Sequence, residues 1–176
     1  MPVDSKLLKL NQIDQKPIEY MKAIGQFLKN PRGFFLIAGK NGNGKTFTAQ
    51  AIYEYFSQDP FHDNKFWNQA DLNIRWQDII FEKQNTRHLL DQVVSAPLLV
   101  LDDIGTRKPS DAFMDFLYMI ADKRYDSREH YGTIITTNLS SQEMREKFSD
   151  AFVSRVSSGI CVRHDGIDRR RSLDKF

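Results

Sequence analysis

The chain has 176 residues, of which 40% are hydrophobic and 27% charged, and its 25 basic and 23 acidic residues give a formal net charge of +2. This length suits one domain with its own core, and the ordinary composition excludes disordered, collagen-like and disulfide-stapled classes. The near-neutral charge argues against a dedicated nucleic-acid binder. Without a signal pattern or an apolar run of about 20 residues, we expect a cytoplasmic protein that does not enter a membrane.

Helices and strands alternate along the predicted chain. Apolar spacing after Pro17 predicts a first helix over 17–29, and an apolar run between glycines predicts a strand over 34–38. Further helices are predicted over 44–56, over 70–94 with an interruption at 83–85, after Ser110, and over 150–156. Another helix begins at a capping box formed by Ser140 and Glu143 and runs to residue 148. Further strands are predicted over 65–68, 98–101, 133–137 and 159–162. This alternation predicts a mainly parallel sheet covered by helices on both faces.

A glycine-rich segment between the first strand and the second helix satisfies the pattern G-x-x-x-x-G-K-[ST]. It reads GKNGNGKT over residues 39–46. Glycines permit the tight turn that aims backbone N–H groups at an anion, and the following helix N-terminus adds its dipole. Lys45 would contact the β- and γ-phosphates, and the Thr46 hydroxyl would bind Mg²⁺. The segment therefore predicts a nucleotide-binding site formed by Gly39, Asn41, Gly42, Asn43, Gly44, Lys45, Thr46 and Phe47. The alternative is a glycine-rich turn that binds no ligand.

Polar residues follow two of the predicted strands. Asp102 and Asp103 come directly after the strand over 98–101, where the first would join Thr46 in the magnesium shell and the second would activate a water molecule. Two solvated loop residues or a helix cap are the alternative. Asn138 follows the strand over 133–137, and its amide could orient the water or simply begin a turn.

Taken together, these residues resemble the AAA+ ATPases of the bacterial replicative helicase-loader type (the DnaC and DnaI group) and their transposition relatives of the IstB type. The likeness extends from about residue 34 to residue 171. Its most specific segments are LLVLDDIG over 98–105, TTNL over 136–139 and FVSRV over 152–156. The resemblance implies an α/β P-loop NTPase three-layer sandwich, with an AAA+ core that lacks the C-terminal lid. We expect one domain over 1–176, with a helical extension over 1–32 and a basic tail over 163–176.

The resemblance also implies roles for individual residues. Asn138 falls on the sensor-1 position, and Arg155 falls on the arginine finger that reaches a nucleotide in the neighbouring subunit. Arg170 best matches a second sensing arginine, although Arg169 and Arg171 are too close to exclude. The alternatives are a solvated helix-end cation for Arg155 and a disordered basic end for the tail. Because an arginine finger contributes about 10³–10⁵ in rate, we expect a weak isolated subunit and a nucleotide-dependent homo-oligomer.

Three departures from the loader pattern qualify the resemblance. Little chain precedes the first strand, where loaders carry a helicase-binding domain, so a helicase partner does not carry over directly. Little chain follows residue 162, which disfavours lid-bearing clamp-loader and protease types. Asp103 stands where the wider superfamily has glutamate, and its shorter side chain implies slow, switch-like hydrolysis.

The resemblance also indicates single-stranded DNA as a possible partner. DNA bases could stack on exposed tryptophans while cations follow the phosphates, or the rings could pack in the core. The interleaved residues are Lys65, Trp67, Arg75, Trp76, Lys83 and Arg87. The single cysteine, Cys161, lies in an apolar strand, so we expect it in the core and not as a nucleophile.

These observations predict a magnesium-dependent switch protein that binds ATP and ADP and hydrolyses ATP slowly. It would act in DNA replication or on a mobile-element complex, through a protein partner such as a replicative helicase. An alternative is a nucleotide-binding regulator with negligible catalysis and no DNA contact. A small-molecule kinase is disfavoured because no arginine-rich insertion separates the strands.

Overall fold

The computed structural model of this protein describes residues 18–59 and 62–163. Within these ranges helices and strands alternate along the chain. In order they are α1 (Ile18–Lys29), β1 (Gly33–Ala38), α2 (Lys45–Phe56), β2 (Lys65–Asn68), α3 (Gln69–Phe81), α4 (Arg87–Val94), β3 (Leu98–Ile104), α5 (Asp111–Asp126), β4 (Gly132–Thr137), α6 (Ser141–Lys147), α7 (Asp150–Val156) and β5 (Ile160–Arg163). The predicted order of elements is confirmed, including the interruption between α3 and α4.

The five strands form one sheet in the order β2-β3-β4-β1-β5, and every neighbouring pair is parallel. Every residue of β4 is buried, as are the four central residues of β1. Strands buried on both faces need a helical layer on each side. The predicted α/β three-layer sandwich is confirmed.

The two faces of the sheet carry separate apolar clusters. Alternate side chains of β1 point in opposite directions, so Phe34 and Leu36 join one cluster while Phe35 and Ile37 join the other. Helices α3 to α7 cover the first face, and α1 and α2 cover the second. Because parallel strands end at one edge, this packing brings the segments that follow β1, β3 and β4 together.

Two expectations for the ends of the sheet need correction. Strand β3 does not stop at residue 101 but continues through both aspartates to Ile104. Cys161 is exposed and not in the core, because β5 lies at the edge of the sheet and, among the described strands, pairs with β1 alone. Partial burial raises the pKa of the Cys161 thiol, which does not favour a nucleophile.

Both predicted terminal segments lie mainly outside the described residues. Helix α1 is the described part of the predicted extension over 1–32, and Arg163 is the described part of the predicted basic tail. Arg169, Arg170 and Arg171 all lie outside the described residues. Among the residues that the structure describes, no helix has the length and apolar character that crossing a bilayer requires.

Arg124 on α5 is a buried charge that ties three elements together. It is 1% exposed, and Nε donates to the Thr133 hydroxyl at 2.9 Å. Nη1 donates to the carbonyls of Val94 and Ala96, at 2.8 Å and 2.6 Å, and Nη2 donates to the carbonyl of Gly132. Within the described part of the chain no carboxylate contacts it, and burial lowers its pKa to about 10. Carbonyl oxygens therefore satisfy this charge and hold the starts of β3 and β4 beside α5.

We expect Arg124→Ala to lower the free energy of unfolding by about 3–5 kcal/mol, because it leaves four acceptors, three of them buried, without a donor. Urea denaturation measures this change. Arg145→Ala is the matched control, since that side chain is 63% exposed and its ion pair should contribute about 1 kcal/mol or less. Equal effects of the two substitutions would contradict the assigned role of Arg124.

Candidate functional site

The predicted phosphate loop joins the carboxyl end of β1 to the start of α2. Gly42 and Gly44 have φ angles of 79° and 84°, a region in which a side chain would be strained. Gly44 is the N-cap of α2, so the loop turns directly into the helix. The twelve-residue helix therefore points its N-terminal N–H groups and positive dipole end at the loop. This arrangement favours an anionic ligand.

Lys45 lies beneath this loop and is only 5% exposed. Its Nζ donates to the carbonyl of Lys40 at 2.8 Å and to Oδ1 of the buried Asn43 at 3.4 Å. The loop thus folds around the ammonium group and holds a buried positive charge beside the helix N-terminus. Both features suit the negative charge of a triphosphate.

Thr46 and Asp102 are in direct contact, although 55 residues separate them in the chain. The Thr46 hydroxyl donates to Asp102 Oδ2 at 3.0 Å, and the Thr136 hydroxyl donates to Oδ1 at 2.6 Å. Asp102 is 5% exposed. Burial raises the pKa of its carboxyl group, and the hydroxyls of Thr136 and Thr46 oppose this shift. The Thr46 hydroxyl and the buried Asp102 carboxylate are hard oxygen ligands of the kind that Mg²⁺ prefers.

Asp103 occupies a bulge in β3. Leu101 pairs with Ile135 and Ile104 pairs with Thr137, so β3 has one residue more than β4 between these pairs. Asp103 adopts a φ of 60°, which is uncommon for a residue other than glycine. Such a bulge breaks the alternation of the strand and redirects a side chain. Two consecutive carboxylates can therefore lie at the same edge of the sheet.

The carboxylate of Asp103 contacts the predicted sensor residue. Asn138 Nδ2 donates to Asp103 Oδ1 at 2.8 Å and approaches the Thr106 hydroxyl at 3.4 Å. The backbone N–H of Asp103 donates to the Thr136 hydroxyl at 2.9 Å. Thr136 thus contacts both aspartates, because it accepts from one and donates to the other. Asp103 of β3 and Asn138, which directly follows β4, form one polar pair.

A cavity of about 440 Å³ opens between the phosphate loop and this pair. Its lining residues are Asn41, Gly42, Gly44, Lys45, Thr46, Phe47, Asp103, Thr106 and Asn138. Gly39 is buried at the start of the loop, and its N–H donates to the carbonyl of Thr137 at 3.1 Å. The fold therefore gathers residues that follow β1, β3 and β4 around one space.

A second cavity of about 580 Å³ adjoins the first and shares Asp103 and Thr106 with it. The N-terminal half of α3 and the segment over 106–109 form its walls. Gln69 is buried there, and its Nε2 donates to the carbonyl of Arg107 at 2.9 Å while its Oε1 accepts from the N–H of Gly105 at 2.7 Å. Gln69 therefore holds the backbone that directly follows Asp103.

Arg155 is not brought to this site. It lies in the last turn of α7, where Nε donates to Asp122 Oδ1 at 3.0 Å and the guanidinium carbon lies 4.8 Å from the Tyr125 ring centroid. The hydrogen bond to Asp122 raises the pKa of Arg155. Arg155 is therefore a helix-end cation paired with Asp122, and its role as an arginine finger stays a prediction. Arg170, the predicted second sensing arginine, lies outside the described residues.

The tryptophans are not the exposed stacking surfaces that one DNA-binding hypothesis needs. Trp76 packs against Phe113 and Phe116, with ring centroids 5.5 Å and 6.1 Å away. Trp67 is partly buried against the same apolar cluster. This packing favours the alternative in which the rings belong to the core, and contact of this region with DNA stays a prediction.

Sequence reasoning missed three residues at the site. Thr136 lies in the TTNL segment over 136–139, and a threonine at the end of an apolar strand is the signal that could have indicated it. Gln69 has no such signal, because its partners are backbone atoms far away in the chain. Thr106 lines both cavities, but it lies in a loop without a recognisable pattern.

Together, the parallel sheet, the phosphate loop and the strand-end acids define a P-loop nucleotide-binding protein of the α/β class. The model of the family described as IstB-like ATP binding protein matches residues 6–157. The chain belongs to this family. A search of curated proteins found no significant match.

Solved structures of replication proteins share the fold. The DnaC helicase loader is 27% identical with a TM-score of 0.66, and the match covers 82% of this chain and 88% of that one. DnaI is 19% identical with a TM-score of 0.69 over 89% of each chain. AMPPCP-bound DnaA from Aquifex aeolicus is 20% identical with a TM-score of 0.73, and the match covers 85% of this chain. This chain spans about half the length of that DnaA, because the match covers 47% of it. These likenesses confirm the resemblance to the loader-type AAA+ fold.

We expect Asp102→Asn to raise the melting temperature of the nucleotide-free protein at neutral pH by roughly 2–5 °C. Because burial raises the pKa of Asp102, the folded state disfavours the charged carboxylate more than the unfolded state does. The wild-type protein should therefore lose stability as pH rises from the ordinary carboxyl range through the raised pKa, and the amide should reduce that loss. Thermal melts at several pH values measure the difference.

The exposed Asp91 provides the control for this measurement. Asp91→Asn, which neutralises a solvated carboxylate on α4, should change the melting temperature little. A melting temperature that falls in Asp102→Asn would mean that the charge of Asp102 stabilises the fold.

Proposed function

We propose that this protein is a magnesium-dependent ATPase switch that turns over slowly and works as an assembly of several copies. The contact between Thr46 and Asp102 carries the proposal, because it joins the phosphate loop to the strand-end acids at 3.0 Å. Membership in an ATP-binding family supports ATP as the nucleotide. The neighbouring pair of Asp103 and Asn138 supports hydrolysis in addition to binding.

In this proposal the loop and its helix bind the triphosphate. Lys45 neutralises the β- and γ-phosphates, and the N–H groups at the start of α2 add their dipole. Thr46 and Asp102 would hold Mg²⁺ through oxygen atoms. When bound, Mg²⁺ supplies positive charge that stabilises the phosphoryl group during transfer.

Asp103 and Asn138 would act on the attacking water. The Asp103 carboxylate can accept a proton from a water molecule in the cavity, while the Asn138 amide fixes the orientation of that carboxylate at 2.8 Å. The bulge and the left-handed φ of Asp103 hold the acid in place at the cost of backbone strain, a feature that is common at functional sites.

Arg155 would complete a site in a neighbouring copy. Its described contacts are with α5 and not with the cavity of its own chain. Because a trans arginine acts only in the assembled state, hydrolysis would depend on association of the chains. Nucleotide binding could then control assembly, with the ATP and ADP states differing in association.

The partner in this proposal is a protein complex of DNA replication or of a mobile element. The DnaC structure to which the chain is 27% identical is named a helicase loader, which supports a helicase or a comparable assembly as partner. Contact with single-stranded DNA is part of the proposal, and a DnaA structure at 19% identity was solved with single-stranded DNA. In this chain such contact would rely on exposed cations such as Arg75, Lys83 and Arg87, since the tryptophan rings are partly buried.

Titration calorimetry with ATP and Mg²⁺ tests the binding part of the proposal. We expect Lys45→Ala to weaken ATP binding at least roughly tenfold, because it removes the buried charge beneath the loop. Lys40→Ala is the matched control, since Lys40 is an exposed lysine of the same loop and contributes only its backbone carbonyl to Lys45. Absence of heat with the wild-type protein would remove the proposal.

Hydrolysis measured over a range of protein concentrations tests the switch. The specific activity should rise with concentration, and Arg155→Ala should remove most of that rise, because a trans arginine contributes about 10³–10⁵ in rate. Arg145→Ala, which removes an exposed arginine on the neighbouring α6, should leave the activity unchanged. ATP binding without hydrolysis at any concentration would favour the nucleotide-binding regulator instead.

A further inference from the structure

Arg155 is held by two side chains of α5 for which no function has been assigned so far. Asp122 and Tyr125 lie three residues apart, so they are neighbours on one face of that helix. We propose that Asp122, assisted by Tyr125, is a positioning residue that orients Arg155 for the nucleotide of a neighbouring copy. The proposal rests on the proposed function.

The arrangement holds the guanidinium group from two directions. Asp122 Oδ1 accepts from Nε at 3.0 Å, and the Tyr125 ring lies beneath the guanidinium carbon at 4.8 Å. The Arg155 and Asp122 side chains are 32% and 38% exposed, so the pair lies at the rim of the packed helices. The arginine is therefore fixed in direction and still accessible to a partner.

The hydrogen bond leaves the far end of the guanidinium available. Asp122 contacts Nε, whereas within the described residues neither Nη1 nor Nη2 has a hydrogen-bond partner. Those two groups form the edge with which arginine binds phosphate oxygens in pairs. Asp122 thus restrains the side chain without occupying the atoms that a phosphate would need.

A purely structural role explains this geometry less well. Helices α5 and α7 already pack through buried apolar residues, among them Phe116 and Phe152. An ion pair at a partly exposed rim adds little to stability, but it does remove rotamer freedom from a long side chain. An arginine that is ordered before assembly loses less entropy on contacting the phosphate, so the benefit appears in the rate of hydrolysis.

The test mixes two inactive variants and places the Asp122 substitution in one or the other. Asp103→Asn provides a donor that keeps Arg155 but lacks the base, and Arg155→Ala provides an acceptor that keeps the base but lacks the arginine. If Arg155 acts in trans, the mixture hydrolyses ATP faster than either variant alone. We expect Asp122→Ala in the donor to reduce this restored activity about tenfold to a hundredfold, and the same substitution in the acceptor to leave it unchanged.

Three further variants sharpen the comparison. Asp122→Asn in the donor keeps an acceptor for Nε and should restore part of the activity. Asp150→Ala in the donor breaks the exposed ion pair with Arg145 and should have no effect. Tyr125→Phe in the donor keeps the ring face and should likewise keep the activity. Thermal melts of each variant verify folding, and Asp122→Asn carries the test if the alanine variant does not fold.

The outcomes separate the two proposals. A mixture without restored activity overturns the trans role of Arg155, and the positioning role with it. Restored activity that is insensitive to Asp122→Ala in the donor overturns the positioning role alone. An equal loss from donor and acceptor placement indicates a general structural effect and also overturns it. A loss confined to the donor supports the positioning role.

Discussion

The candidate site depends on a buried carboxylate, that of Asp102, being compensated by groups that the fold brings to it. Removing a carboxylate from water is unfavourable unless polar partners replace the solvent. The hydroxyls of Thr46 and Thr136 do so in part, and burial still raises the pKa of the acid. One hydroxyl belongs to the phosphate loop and the other to β4. A cation held beside Asp102 would complete the compensation of its negative charge. Nucleotide binding would then be coupled to the centre of the sheet.

Strand β3 resolves a geometric conflict at the same place. Consecutive side chains of a regular strand point to opposite faces, yet both aspartates belong to one site. The bulge between Leu101 and Ile104 and the left-handed φ of Asp103 remove the conflict. Neighbouring side chains stabilise this strained conformation, because Thr136 accepts from the N–H of Asp103 and Gln69 accepts from the N–H of Gly105. The second cavity lies against this part of the chain, and Asp103 forms part of its wall.

The candidate functional residues lie in two separate regions of the surface, and this separation is consistent with the proposed switch. The cavity beside the phosphate loop is lined by Lys45, Thr46 and Asp103, whereas Arg155 contacts Asp122 on α5. In the proposed function, a chain whose arginine does not reach its own cavity would gain activity only by association. Turnover would then be slow in isolation and would depend on assembly. In that proposal the partly exposed rim of α5 and α7 would be as important for function as the loop.

Local patterns in the sequence were sufficient for the order of the elements, the three-layer fold and the phosphate loop, because hydrophobic periodicity and turn residues act over a few neighbouring positions. They also indicated Asp102, Asp103 and Asn138 as candidate site residues, because these residues follow predicted strands and parallel strands end at one edge of a sheet. The placement of Cys161 was wrong because an apolar run does not reveal that its strand lies at the edge. Only the tertiary structure decided that Thr136 joins the two acids, that Gln69 holds the backbone after Asp103, and that Asp122 contacts Arg155. Those contacts join positions far apart in the chain, and their geometry exists only after the helices have packed on the sheet.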